Sequence, residues 1–273
     1  MTSTSPRRDA VVAGIHVVVD GPPDAPPVLL LHGSGATAAG WSPVMPGLAA
    51  AHRVVAVDLP GCGRSAPVAS YDVPAQADRV AALLDELGVT RPTVVGHSSG
   101  GYVATALAER RPDLVASLVL LSTGPSLDAL LPEPAVVRLL MGRPFGPLLW
   151  PLRTPSMLRR GIRSVTAAPV EVPDDVLAGM AADARRTPYR AFRQIMDGYT
   201  AYVGERTVPE RLAGLGIPLL VGFGDSDPRW DPASAHRYEV VPGARVEYLP
   251  GVGHVPMLED PEGTTRLLLA GAA

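Results

Sequence analysis

The chain has 273 residues, 47% of them hydrophobic and 19% charged, and a formal net charge of −3. That is enough apolar material for a sizeable core in one domain of the larger α/β kind. The slight acidity gives no reason to expect a nucleic acid or an anionic membrane as partner, and the single cysteine, Cys62, excludes an internal disulfide or a cysteine-based metal site. All 24 basic residues are arginine, a coding bias more than a functional choice. No long apolar run follows the N-terminus, Val17-Val18-Val19 being far too short for a span, so a soluble cytoplasmic protein is expected.

In chain order, residues 10–19 read as an antiparallel hairpin turning at Ala13-Gly14, followed by a stiff proline-rich turn at residues 22–27. Short runs at Val28–Leu31, Val54–Val57, Thr93–Val95, Leu118–Leu121, Ile217–Val221 and Val246–Leu249 follow, with helical segments between. Most are apolar along their whole length, as parallel strands buried on both faces are. Val73, Ala77, Val80, Leu84 and Leu87 recur at steps of three and four before Gly88, which predicts an amphipathic helix lying on the sheet. Residues 260–270 read as a closing helix. The alternation predicts an α/β fold with a mostly parallel, doubly wound sheet. Residues 124–206 break the rhythm, with many prolines and helical spacing at 176–184 and 191–202. They are expected to form a helical cap inserted in a core made of residues 1–123 and 207–273.

Ligands in open α/β sheets gather at the carboxyl ends of the strands. His32-Gly33-Ser34-Gly35 follows the first parallel run, Asp58 to Ser65 the second, and Gly96-His97-Ser98-Ser99-Gly100 the third. Ser98 stands between two glycines on a strand-to-helix turn, where strained backbone angles and bulky neighbours would conflict. Three acids, Asp225, Asp227 and Asp231, follow the fifth run, and His254 follows the last. A hydroxyl, an acid and an imidazole thus reach one edge of the sheet, and a serine hydroxyl becomes a nucleophile only with such a base at hand.

With these motifs the chain resembles the α/β-hydrolase superfamily over residues 10–272: the His-Gly turn, Asp58-x-Pro-Gly-x-Gly-x-Ser65, the Gly96–Gly100 elbow, Gly224-x-x-Asp227, and Gly251-x-Gly-His254 followed by Pro261-Glu262. The resemblance implies Ser98 as nucleophile, His254 as base, Asp227 as orienting acid, and the backbone N–H groups of Ser34 and Ser99 as oxyanion hole. No cofactor is expected, and the six histidines show no metal-ligand spacing. His32 is expected to brace the oxyanion loop and, with Gly33, to border the substrate. His97 is expected to line the fold, and Cys62 to be structural. His16, His52 and His236 are expected at the surface. Phe145 and Trp150, with Leu139, Leu140, Met141, Leu148 and Leu149, suggest a lipophilic substrate pocket or the insertion's own small core. An arginine of the insertion, such as Arg190, offers a clamp for a substrate carboxylate.

The expected activity is cleavage of a carboxylic ester or related acyl bond of a small lipophilic molecule by a monomer or homodimer. His32-Gly33-Ser34-Gly35 also resembles the C–C bond hydrolases of diketones and dienoates, whose elbow carries Asn where this chain has His97. A non-hydrolytic catalyst or binding protein on the same fold is the further alternative. Dehalogenases and epoxide hydrolases need an aspartate where Ser98 stands.

Overall fold

The hairpin opens the chain as β1 (Arg8–Val12) and β2 (Ile15–Asp20). Ala13 and Gly14, at φ +49° and +76°, form a two-residue turn of the kind that matches strand twist. In this computed structural model residues 7–133, 135, 138, 139, 142, 144–168, 170, 172 and 174–272 are described; Leu140 and Met141 lie outside them.

Six further strands follow: β3 (Pro27–Leu31), β4 (Arg53–Val57), β5 (Thr93–His97), β6 (Ser117–Leu121), β7 (Leu219–Gly224) and β8 (Arg245–Leu249). They form one eight-stranded sheet in the order β1-β2-β4-β3-β5-β6-β7-β8, parallel from β4 to β8 and antiparallel at the hairpin end. The order reverses at β3, so consecutive crossovers carry helices to opposite faces. Leu29 and Leu31 of β3 enter one core, and Val28 and Leu30 the other. Such two-sided burial is why these strands read as unbroken apolar runs. β8, at the edge, is mostly exposed.

On one face lie α1 (Val73–Glu86) and α2 (Gly100–Arg110). Asp72 caps α1 by accepting the Ala75 N–H at 2.7 Å, and Gly88 ends it at φ +60°. Between β6 and β7, the described residues supply α3 (Pro155–Arg163), α4 (Asp174–Arg186) and α5 (Tyr189–Glu205). α5 buries Ala191, Ile195 and Tyr199 in the first core. α3 and α4 give Ile162, Leu177 and Met180 to the second, where α6 (Pro261–Ala272) adds Leu267 and Leu268.

Candidate active site

At the carboxyl end of β5 the chain turns sharply into α2, and Ser98 takes φ +50°. A non-glycine residue there carries strain of about 1–2 kcal/mol. Its neighbours explain why it cannot relax. The Ser98 N–H donates to Leu121 O at 2.8 Å, while its carbonyl accepts from Gly101 N and from Thr123 Oγ1. A Cβ on Gly96 would stand 2.5 Å from the Gly101 Cα, and one on Gly100 would stand 2.5 Å from the His32 and Leu31 carbonyl oxygens. Gly96→Ala is therefore expected to destabilise the fold by about 3 kcal/mol, since the clash is with backbone. A urea midpoint within error of wild type would contradict it.

Three strand ends converge on Ser98. His254 Nε2 lies 3.0 Å from Ser98 Oγ, and His254 Nδ1 lies 2.9 Å from Asp227 Oδ2. With Nδ1–H donating to the carboxylate, Nε2 is left as acceptor for the serine hydroxyl. The Asp227 side chain is wholly shielded from solvent, and its Oδ1 accepts the N–H groups of Arg229 at 2.7 Å and Trp230 at 3.2 Å. The three acids sort by geometry. Asp225 is exposed and accepts from Gly251 N, and Asp231 accepts from Ala233 N at the start of the 3-10 turns over Pro232–Val240. Asp227 alone of the three meets His254.

The histidine loop is held from three sides. His254 N donates to Val165 O, and Glu259 accepts from Gly253 N, Val255 N and Ala167 N. His97 Nε2–H donates to the His254 carbonyl at 2.8 Å. Burial, with His254 close by, pushes the His97 imidazolium down to about 3, so this ring is neutral and braces the loop. His32 is likewise committed: Nδ1–H donates to Gly33 O at 2.8 Å and Nε2 accepts from Leu59 N at 2.9 Å. Its burial lowers its pKa, and neither nitrogen is left for proton transfer. Burial lifts the Cys62 thiol to about 12, which fits its structural reading.

Ser34 and Ser99 face each other, with their hydroxyl oxygens 2.7 Å apart. Among the described residues, no acceptor takes the N–H of either. Both residues line the same cavity as Ser98.

A cavity of about 440 Å³ opens over Ser98. Its walls come from the loops just described and, from the inserted segment, from Leu158, Ile162, Met180, Phe192 and Met196. His32 and Gly33 border it as expected. Three expectations are corrected here. Phe145 is 43% exposed and does not line the cavity. Trp150 is buried but spent on packing, stacked 4.3 Å from the Phe192 ring with its indole N–H on Thr187 O. Arg190 points to solvent; Arg193, on the same helix, borders the cavity instead and pairs with Asp197 at 3.2 Å.

His16 is a further correction. It was expected at the surface, yet it is buried, with Nδ1 2.9 Å from Asp58 and Nε2 2.7 Å from Asp9. Asp58 also accepts from Ala38 N and Arg64 N, so the pair fixes the glycine turn and the start of the segment after the Ser34 loop. The bond to Asp58, helped by Asp9 against the cost of burial, raises the His16 pKa. Burial opposes charge on Asp58, but the bond from His16 and the nearby His32 outweigh it and hold its carboxyl below the usual range. The folded protein keeps the His16 proton more tightly than the unfolded chain, so its stabilisation is full below about pH 6 and fades as pH rises through the folded value. The melting-temperature advantage of wild type over His16→Gln should shrink between about pH 6 and pH 9. A constant difference across that range would contradict it.

A family profile described as the alpha/beta hydrolase family matches residues 28–267, and the chain belongs to that family. An uncharacterized protein of Mycobacterium tuberculosis is 31% identical over 250 residues, spanning 86% of this chain and 72% of its own. A 2-hydroxy-6-oxononadienedioate/2-hydroxy-6-oxononatrienedioate hydrolase of Cupriavidus pinatubonensis is 39% identical over 118 residues, 40% of this chain and 41% of its own. Among solved structures, a membrane phospholipase A described as a bacterial virulence factor superposes with a TM-score of 0.76 at 27% identity. The match covers 98% of this chain and 86% of that one. The chain is thus an α/β-family hydrolase in fold and class.

Proposed function

We propose that the chain is a serine hydrolase that cleaves a carboxylic ester, or a related acyl bond, of a small lipophilic substrate. The observation that carries this reading is the line Ser98 Oγ, His254 Nε2, His254 Nδ1, Asp227 Oδ2, with contacts of 3.0 and 2.9 Å at the floor of a largely apolar cavity. In the forward step Ser98 Oγ attacks the acyl carbon while its proton passes to His254 Nε2. Asp227 stabilises the imidazolium, and the amides of Ser34 and Ser99 take the carbonyl oxygen as it becomes negative, each donor worth about 3 kcal/mol. His254 then gives its proton to the departing alcohol. Water, activated by the same histidine, releases the acid from Ser98 and restores the hydroxyl. Residues 124–206 act as the cap that chooses the acyl group, since α3, α4 and α5 wall the cavity.

The Cupriavidus relative favours a second reading, cleavage of a C–C bond in a dienoate. Against it stands His97 before the nucleophile, whose Nε2–H is already used on the His254 carbonyl. A panel of p-nitrophenyl esters of rising chain length, assayed beside a vinylogous diketone acid, separates the two. Turnover of esters with a preference for medium acyl chains supports the first reading. Turnover of the diketone alone would replace it with the second.

A further inference from the structure

The net charge of −3 hides an uneven distribution. From residue 134 to residue 170 the sequence has no aspartate or glutamate but six arginines: Arg138, Arg143, Arg153, Arg159, Arg160 and Arg163. The same stretch exposes large apolar side chains that a folded surface usually covers. Leu148 is 69% exposed and Leu152 is 64% exposed, with Met157 and Phe145 also largely in solvent. Arg153 is spent within the fold, lying over the Trp150 ring and donating to the Trp150 and Ala184 carbonyls. Single exposed leucines need no explanation; several of them in the same run of chain as the cations of the next helix do.

α3 shows how this surface relates to the site. Leu158, Gly161 and Ile162 share one face of the helix and line the cavity above Ser98. The opposite face carries Arg159, Arg160 and Arg163, all exposed. Arg159 is paired with Asp174, but among the described residues neither Arg160 nor Arg163 has an ion-pair partner. One helix thus separates a cationic outer surface from an apolar cavity.

From this arrangement we infer that the 145–163 surface docks on an anionic lipid bilayer. The cations match phospholipid headgroups, and the flanking leucines and Met157 enter the interface, as amphipathic elements rich in arginine do. An acidic protein surface would match the arginines but leave the leucines unaccounted for. A second copy of the chain, meeting the same face across a two-fold axis, would set arginines against arginines. Among the described residues no helix is long and apolar enough to cross a membrane, so the contact is peripheral. Docked this way, α3 lies between bilayer and cavity, the position from which a lipid-dissolved substrate would enter.

The test is cosedimentation of the full chain with vesicles of phosphatidylcholine alone and of phosphatidylcholine with phosphatidylglycerol, at low and high salt. Binding needs no turnover, so the outcome is independent of the hydrolase reading. The expected result is binding to the phosphatidylglycerol vesicles only, weakened by salt. The paired variants Arg160→Glu/Arg163→Glu and Leu148→Ser/Leu152→Ser should each lower the partition coefficient about tenfold or more, with unchanged melting temperatures. Absence of binding to anionic vesicles would overturn the inference. So would binding that both variants retain, or a dimer in solution that the same variants dissolve.

Discussion

Ser98→Ala is expected to lower ester turnover by roughly 10⁴-fold or more, to the level left by binding and oxyanion contacts alone. The side chain lost is one hydroxyl, and the backbone bonds that hold the turn, from Ser98 N to Leu121 O and from Gly101 N to Ser98 O, do not involve it. The fold should therefore survive. Ser98→Gly should be equally inactive and more stable than Ser98→Ala by about 1 kcal/mol, because glycine relieves the left-handed backbone at φ +50°. Activity within about tenfold of wild type in either variant would remove Ser98 from the chemistry. Melting curves with Ser98→Gly below Ser98→Ala would contradict the strain.

Asp227→Asn should cost about 10⁴-fold in turnover, whereas Asp225→Asn should stay within about threefold of wild type, as a surface substitution. The difference follows from the donors around each carboxylate. Asp227 Oδ1 receives two backbone N–H groups, from Arg229 and Trp230. An asparagine must turn its carbonyl oxygen toward them and its NH₂ toward His254 Nδ1. Nδ1 then becomes the acceptor, the proton moves to Nε2, and the nitrogen 3.0 Å from Ser98 Oγ can no longer accept. Asp225, exposed and bonded to Gly251 N and Ser226 Oγ, shapes the loop without touching His254. Equal losses in the two variants, or the larger loss at 225, would reverse the assignment.

Much of this architecture was legible in the residues because parallel strands leave a strong mark. β3, β4, β5 and β6 are buried on both faces and read as apolar runs, and the alternation with helices fixes the doubly wound sheet. β8 left a weaker mark, in the run Val246–Leu249, since an edge strand keeps exposed charges at Arg245 and Glu247. The site could be located because each candidate followed a strand, and strand ends in such a sheet are neighbours whatever their distance in sequence. The choice of Asp227 over Asp225 and Asp231 came from the Gly224-x-x-Asp227 spacing of the resembled family; the residues by themselves leave open which carboxylate points inward.

The inserted segment was harder to read. Phe145, Trp150 and Arg190 were sensible candidates by residue type, but which side of a short helix faces the cavity depends on packing angles that no local pattern encodes. Arg193, one turn along the same helix and itself half exposed, reaches the rim of the cavity where Arg190 does not. His16 was missed because its partners, Asp9 and Asp58, come from a neighbouring strand and from the end of β4. The available signal was the run from Ile15 to Val19, apolar apart from His16, which marks a strand covered on both faces. Glu259, which gathers three backbone N–H groups behind His254, carried only its position five residues after that histidine.

The central claim is that Ser98 is an activated nucleophile, and the most direct measurement is intact mass after incubation with a fluorophosphonate, run on wild type and Ser98→Ala together. A serine paired with His254 and Asp227 gives one covalent adduct on wild type and none on the variant. A folded wild type that takes no adduct, or an adduct that persists in Ser98→Ala, would show that the nucleophile lies elsewhere or that this geometry does not activate it.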